Sequence, residues 1–160
     1  MFMNEMKRRK TMRLKTADYN QPGRYFFTLC TKKRECILSR VVAENPLEEP
    51  TIQLLPYGKI VEKYIEQLQS FYGYVTISRY VIMPNHIHLL ILLYPISDKE
   101  EQSQTVQNSV LSRFLSTFKR FCNKECGENI WQNRSYDHII RSEQDYEKHL
   151  NYICANPTNW

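Results

Sequence analysis

Two runs decide how this chain folds: Tyr74 to Met83 (YVTISRYVIM) and His86 to Leu93 (HIHLLILL), separated only by Pro84 and Asn85. Both are rich in β-branched, aromatic and aliphatic residues, and the short Pro-Asn break reads as a tight connection between antiparallel neighbours. The second run is the most apolar segment of the chain, which predicts a central strand covered on one or both faces. Upstream, from Pro56, the pattern becomes helical. Ile60, Val61, Tyr64, Ile65, Leu68, Phe71 and Tyr72 recur at steps of three and four, and Pro56 stands where a first-turn proline is tolerated.

Before that helix, Arg24 to Thr31 (RYFFTLCT) reads as a first strand, followed by a solvated basic triplet, Lys32, Lys33 and Arg34. Residues 39–54, with Pro46, Pro50 and scattered Glu, are expected to form a long connection. Downstream, residues 97–108 are polar and acidic. Val106, Val110, Leu111, Phe114, Leu115, Phe118, Phe121 and Cys122 then mark an amphipathic helix ending near Gly127. Trp131 to Arg141 (WQNRSYDHIIR) predicts a final strand. Ser142 with Asp145 three residues on makes an N-cap for a last helix reaching Pro157. The order β-α-β-β-α-β-α is that of an α+β, ferredoxin-like split βαβ sandwich, an antiparallel sheet with two helices on one face, plus a C-terminal helix.

At 160 residues and 42% hydrophobic, the chain has material for one globular domain with its own core. The expected division is a basic N-terminal arm over 1–23 and one domain over 24–160. Six Lys/Arg against one Glu in residues 1–15 already account for the formal charge of +5, so the rest of the chain is balanced. Net charge alone therefore argues only weakly for a polyanion partner. The longest apolar candidate, Tyr80 to Ile96, is broken by Pro84, Asn85, His86, His88 and Pro95, so no membrane span is expected. The basic N-terminal residues lead into no apolar signal region, and the five cysteines form no C-x-x-C pair. Both observations predict a protein of the reducing cytoplasm.

His86-Ile87-His88 is the sharpest chemical feature. Alternate residues on a strand share a face, so both imidazoles point the same way and could hold one metal ion. A cupin would need a nearby following Glu, and a zinc deaminase H-x-E with C-x-x-C; the sequence has neither arrangement. On the last helix Asp145, His149, Tyr152 and Asn156 fall at i, i+4, i+7 and i+11 and form one polar stripe. A tyrosine attacks poorly unless a Lewis acid or base assists it, and an ion held by two histidines could polarise a phosphate in that way. Tyr152 could equally be one of the many tyrosines that only pack, and Asn156 a helix-end residue before a proline. On the second helix Arg113, Lys119, Arg120 and Lys124 form a basic face, which suits either phosphate contact or plain solvation.

Taken together, four segments resemble the single-tyrosine HUH transposases of bacterial insertion sequences, in particular their REP-associated branch. They are Tyr80-Val-Ile-Met-Pro-Asn-His-Ile-His88, Ser116-Thr-Phe-Lys119, Trp131-Gln132 through Asp137-His138-Ile-Ile-Arg141, and Asn151-Tyr152-Ile-Cys-Ala-Asn156-Pro157. They stand in the family's order and spacing between Arg24 and Trp160. The resemblance implies a DNA transposase that cleaves and rejoins single-stranded DNA, often hairpin-forming, through a 5′-phosphotyrosine. Tyr152 would be the nucleophile. His86, His88 and Asn156 would hold Mg²⁺ or Mn²⁺, with Asn standing where relatives often have Gln. Tyr136 is the competing tyrosine, without a helical ligand one turn later. Arg113, Lys119, Arg120 and Lys124 are the candidate phosphate contacts, with the basic arm expected to add to recognition.

Relatives of this kind act as homodimers, the tyrosine helix of one chain serving the other's histidines, or as monomers, and both arrangements stay open. Absence of a G-x-x-x-x-G-K-[ST] loop fits strand transfer without ATP. Two other classes compete: a domesticated single-stranded nucleic-acid-binding protein that no longer cleaves, and a metal-dependent hydrolase of small substrates in which Tyr152 only donates a hydrogen bond.

Overall fold

In the computed structural model, which describes residues 19, 21–96 and 109–160, four strands form one antiparallel sheet. They are β1 (Gly23–Cys30), β4 (Val75–Ile82), β5 (His86–Leu93) and β6 (Tyr136–Ile140), in the order β4-β5-β1-β6. β5 runs antiparallel to both β1 and β4, so these two are parallel and β5 lies between them. Helix α1 (Pro56–Phe71) links β1 to β4, which is the split βαβ unit. The helices α2 (Val110–Cys126) and α3 (Glu143–Ala155) flank β6 in sequence.

Strand alternation sorts the core into two halves. Tyr25, Phe27 and Leu29 of β1 and Ile87, Leu89, Ile91 and Leu93 of β5 pack with Val61, Ile65 and Leu68 of α1 and Val110, Phe114 and Phe118 of α2. The intervening residues face the other way. Phe26 and Leu90 meet Val81, Met83 and Ile140, and Ile153 of α3 closes that side. A bulge between Ile77 and Arg79 lets β4 keep both Ile77 and Ile82 on the α1–α2 side despite their odd spacing. Thus α1 and α2 share one face and the tyrosine helix covers the other.

The helix ends follow local chemistry. Pro56 opens α1, the Ser109 side chain accepts from the Ser112 N–H, and the Ser142 side chain accepts from the Asp145 N–H. Gly127 closes α2 with φ of 76°, a left-handed conformation that favours glycine. Burying one large apolar side chain stabilises a fold by about 1.5–3 kcal/mol. Among the described residues of α3 only Ile153 is fully buried, whereas α2 buries five large side chains and a cysteine. Tyr146 and Leu150 add partly buried contacts on the same side, and the exposed Arg24–Glu143 ion pair at 2.7 Å joins the start of α3 to β1.

Two expectations need correction. Residues 39–54 are not a plain connection but contain a hairpin, β2 (Ser39–Val42) and β3 (Thr51–Leu54), paired from Ser39↔Leu54 to Val42↔Thr51. Its strands are only four residues long, and Val41 and Ile52 pack against the α3-side cluster. Trp131 to Arg141 is not one strand. Trp131 makes an isolated bridge with Thr31, and regular pairing resumes only at Tyr136. The Gln132 N–H donates to the Cys30 carbonyl and its side-chain amide to the Thr31 carbonyl, which ties down the intervening loop. The basic arm up to residue 18, residue 20 and the acidic stretch 97–108, including Val106, lie outside the described residues.

Gly58 is required by close approach. A Cβ there would meet the Leu38 carbonyl oxygen at 2.0 Å and its carbon at 3.0 Å, both of them backbone atoms. Gly58→Ala is expected to destabilise the fold by about 3 kcal/mol, the upper part of the usual overpacking range, read as a lower urea midpoint at unchanged slope.

Candidate functional site

The α3 side of the sheet carries the chemistry. His86 and His88 both point to it from β5, with ring centroids 4.7 Å apart. His88 faces Thr28 across the ladder, its Nδ1 lies 2.7 Å from Thr28 Oγ1, and its ring stacks on Phe26 at 5.2 Å. Only 4% of His88 is exposed, and its Nε2 is buried without a hydrogen-bond partner. Leaving a polar atom so costs about 1–3 kcal/mol, which is the mark of a group kept for a purpose. Burial, followed by the neighbouring His86 and His149 charges, pushes the His88 pKa down to about 3. The ring is therefore neutral. Assigned as the tautomer whose Nδ1–H donates to Thr28, it presents the Nε2 lone pair.

His86 Nδ1 donates to Asn85 Oδ1 at 2.7 Å, leaving its Nε2 as acceptor. Burial lowers the His86 pKa, the Asn156 side chain opposes this because it could accept from the protonated ring, and the Arg34 charge lowers it further. Asn156 is the C-cap of α3. Its Nδ2 donates to the Tyr152 carbonyl at 2.9 Å, which leaves the amide oxygen for the His86 side. Two neutral imidazoles and one amide oxygen make a donor set suited to a divalent cation, and the unpartnered His88 nitrogen fits one.

Tyr152 stands one turn before Asn156, 52% exposed, with its ring 5.1 Å from His88 and 6.2 Å from Phe26. It lines a cleft of about 1050 Å³ together with His86, His88, Phe26 and Thr28. Tyr136 lines the same cleft from the start of β6, but it is Tyr152 whose ring packs on a histidine.

Of the sequence-read residues, His86, His88 and Tyr152 line one cleft, and Asn156, outside the lining, meets His86 through its side chain. None of Arg113, Lys119, Arg120 and Lys124 lines the cleft. Their helix sets its apolar side against the α1 face of the sheet, opposite the face on which the tyrosine helix packs. Lys119 instead donates to the backbone carbonyls of Gln132 at 2.9 Å and Asn133 at 3.4 Å. The cations of the cleft are Arg34, Arg134 and Lys148, which periodicity did not single out. Arg34 belongs to the triplet read as a solvated loop. That triplet is a 3-10 turn in which Lys33 and Arg34 take φ of 54° and 59°. Residues with a Cβ rarely adopt this left-handed region, and Arg34 lines the cleft near enough for its charge to act on His86.

A second polar group lies beside the first. Asp145 Oδ2 accepts from His138 Nε2 at 2.8 Å, and Asp145 Oδ1 is 3.2 Å from His149 Nδ1. The His138 and His149 rings stack at 4.7 Å, 18° apart, and His149 borders the cleft.

An antiparallel split βαβ sheet with two histidines on one strand and a tyrosine helix across them defines the class to which comparison with known proteins points. The model of the IS200-like transposases matches residues 20–156, and the chain belongs to that family. It is accordingly an enzyme acting on DNA. The chain is similar to the REP-associated tyrosine transposase of Escherichia coli K12, with 35% identity over 140 residues covering 87% of this chain and 68% of the relative. An uncharacterized protein of Haemophilus influenzae is 31% identical over 168 residues, covering 95% and 89% of the two chains. Among solved structures, a REP-associated tyrosine transposase bound to a REP hairpin shares the fold, at a TM-score of 0.62 and 23% identity over 92% of this chain and 74% of that one. Among the described residues no helix is long and apolar enough to cross a membrane.

Proposed function

We propose that this transposase cleaves and rejoins single-stranded, hairpin-forming DNA through Tyr152, with Mg²⁺ or Mn²⁺ held by His86, His88 and Asn156. The observation that carries this reading is the buried, unpartnered Nε2 of His88 with the Tyr152 ring 5.1 Å from the same imidazole. A divalent ion bound there would stabilise negative charge on the oxygens of the scissile phosphate. Thr28 and Asn85 orient the two imidazoles for it.

The chain's own side chains do the rest. The Tyr152 oxygen attacks phosphorus, the bond to the 3′ oxygen breaks, and a 5′-phosphotyrosine and a free 3′-OH result. Because the phosphotyrosine is another phosphodiester, a second 3′-OH can displace the tyrosine and rejoin DNA without a nucleotide cofactor. Half-exposure of Tyr152 gives a strand access, and Arg34, Arg134 and Lys148 border its path. The hairpin is supported by the related transposase of known structure, which is bound to a REP hairpin.

The test is incubation with end-labelled hairpin DNA taken from the gene's flanks plus Mn²⁺, followed by a denaturing gel. A metal-dependent covalent adduct is expected. Tight binding without adduct in any metal would instead make this a non-cleaving binder. For the DNA path, Arg34→Ala and Arg134→Ala are each expected to lower the slope of log affinity against log salt by about 0.7, the value for one single-strand phosphate contact. Arg113→Ala and Arg120→Ala should leave that slope unchanged in the same filter-binding series.

A further inference from the structure

Tyr152 needs somewhere to send its proton. A phenol is protonated at neutral pH, so forming the bond from its oxygen to phosphorus requires an acceptor. The three metal-site residues do not supply one if their lone pairs are turned to an ion. One turn before Tyr152 on α3 stands His149, a neighbour on the same helix face.

Asp145, His138 and Phe26 hold the His149 ring. Its Nδ1 lies 2.8 Å from the Asp145 backbone oxygen and 3.2 Å from the Asp145 carboxylate, both of them acceptors. Nδ1 must therefore carry the hydrogen, and Nε2 the lone pair. His138 stacks on the ring at 4.7 Å and Phe26 lies against it at 4.7 Å, so it cannot turn freely. The Nε2 edge remains, and the residue borders the cleft that Tyr152 also lines. Asp145 is itself held: its carboxylate accepts from His138 at 2.8 Å and from the Arg141 N–H at 3.4 Å, and the His138 bond, more than the Arg141 one, keeps its carboxyl below the usual range. It thus stays ionised beside an imidazole about to become positive.

Resting on the tyrosine reading above, we propose that His149 is the catalytic proton acceptor for Tyr152 and that Asp145 is its positioning residue. In cleavage the Tyr152 oxygen bonds to phosphorus, its proton passes to His149 Nε2, and the departing 3′ oxygen takes a proton from solvent. In rejoining an incoming 3′-OH bonds to phosphorus and gives its proton to solvent. The bond to tyrosine breaks, and the tyrosine oxygen recovers its proton from His149. The carboxylate, the imidazole and the nucleophilic hydroxyl stand at Asp145, His149 and Tyr152 of one helix, and the last two line the same cleft.

The test makes the proton unnecessary. Single-turnover adduct formation is measured for the full chain with Mn²⁺ and a labelled hairpin, with Tyr152 either natural or replaced by 2,3,5-trifluorotyrosine, a much more acidic phenol. With the natural residue, His149→Ala and His149→Gln should each lower the rate by about 100-fold and Asp145→Asn by about 10-fold, within the usual range for general-base catalysis. In the trifluorotyrosine protein these losses should shrink to about 3-fold or less. The Gln variant still fills the space between Phe26 and His138, so a folding defect confined to Ala does not obscure the outcome. Losses equal in the two backgrounds would overturn the proposal and leave His149 as a seat for the helix. Adduct formation that survives Tyr152→Phe would instead overturn the tyrosine reading beneath it.

Discussion

Tyr152→Phe is expected to abolish the covalent DNA adduct and to lower cleavage of a labelled hairpin by about 10,000-fold or more, with hairpin affinity changed less than about twofold. The phenylalanine ring keeps the contacts that tyrosine makes with His88 at 5.1 Å and Phe26 at 6.2 Å. Only the hydroxyl is lost, from a side chain that is half exposed, so the fold should keep its stability to within about 0.5 kcal/mol. Affinity comes from phosphate charge, and Arg34, Arg134 and Lys148 are untouched. Tyr136→Phe is the matched comparison, since Tyr136 lines the same cleft and is exposed to a similar degree. It should leave the adduct intact. If Tyr136→Phe removed the adduct and Tyr152→Phe did not, the roles of β6 and α3 would be exchanged.

The sequence made β5 legible to the residue, because strand burial on both faces leaves an unbroken apolar run and the two histidines interrupt it on one face only. Period two then placed both imidazoles on the same side, and helical spacing put Asn156 one turn beyond Tyr152; neither inference needs tertiary information. The caps at Ser142 and Gly127 were legible for the same local reason. What the sequence could not show is what depends on the third dimension. A basic face on α2 is visible in sequence, but not the side of the sheet on which α2 packs, and that alone removes Arg113, Arg120 and Lys124 from the cleft. Arg34 is the opposite case, a cleft residue read as part of a solvated loop. It sits in a turn of two consecutive left-handed residues, a conformation with no sequence signal when neither residue is glycine. The β2–β3 hairpin was missed because four-residue strands are too short to display a period and because its prolines and acids are concentrated at the turn.

The metal reading is tested by removing the nitrogen on which it rests. His88→Ala is expected to lower Mn²⁺ affinity by at least about 100-fold, since changing a residue that merely orients a ligand already costs 10- to 100-fold. Thr28→Val, which removes the hydroxyl 2.7 Å from His88 Nδ1, should cost about 10-fold. Adduct formation in His88→Ala should fall roughly 1,000-fold, corresponding to the several kcal/mol that a Lewis acid contributes. Binding can be read without catalysis. An ion at about 100 times its dissociation constant should stabilise the native protein by about 2.7 kcal/mol, visible as a rise in melting temperature that disappears in His88→Ala. If that rise survived His88→Ala but vanished in His138→Ala, the ion would belong to the His138, Asp145 and His149 group, whose ligand atoms all lie within 4.8 Å of one another. The buried Nε2 of His88 would then have no ligand to account for it, and His149 would no longer be free to serve Tyr152 as a base.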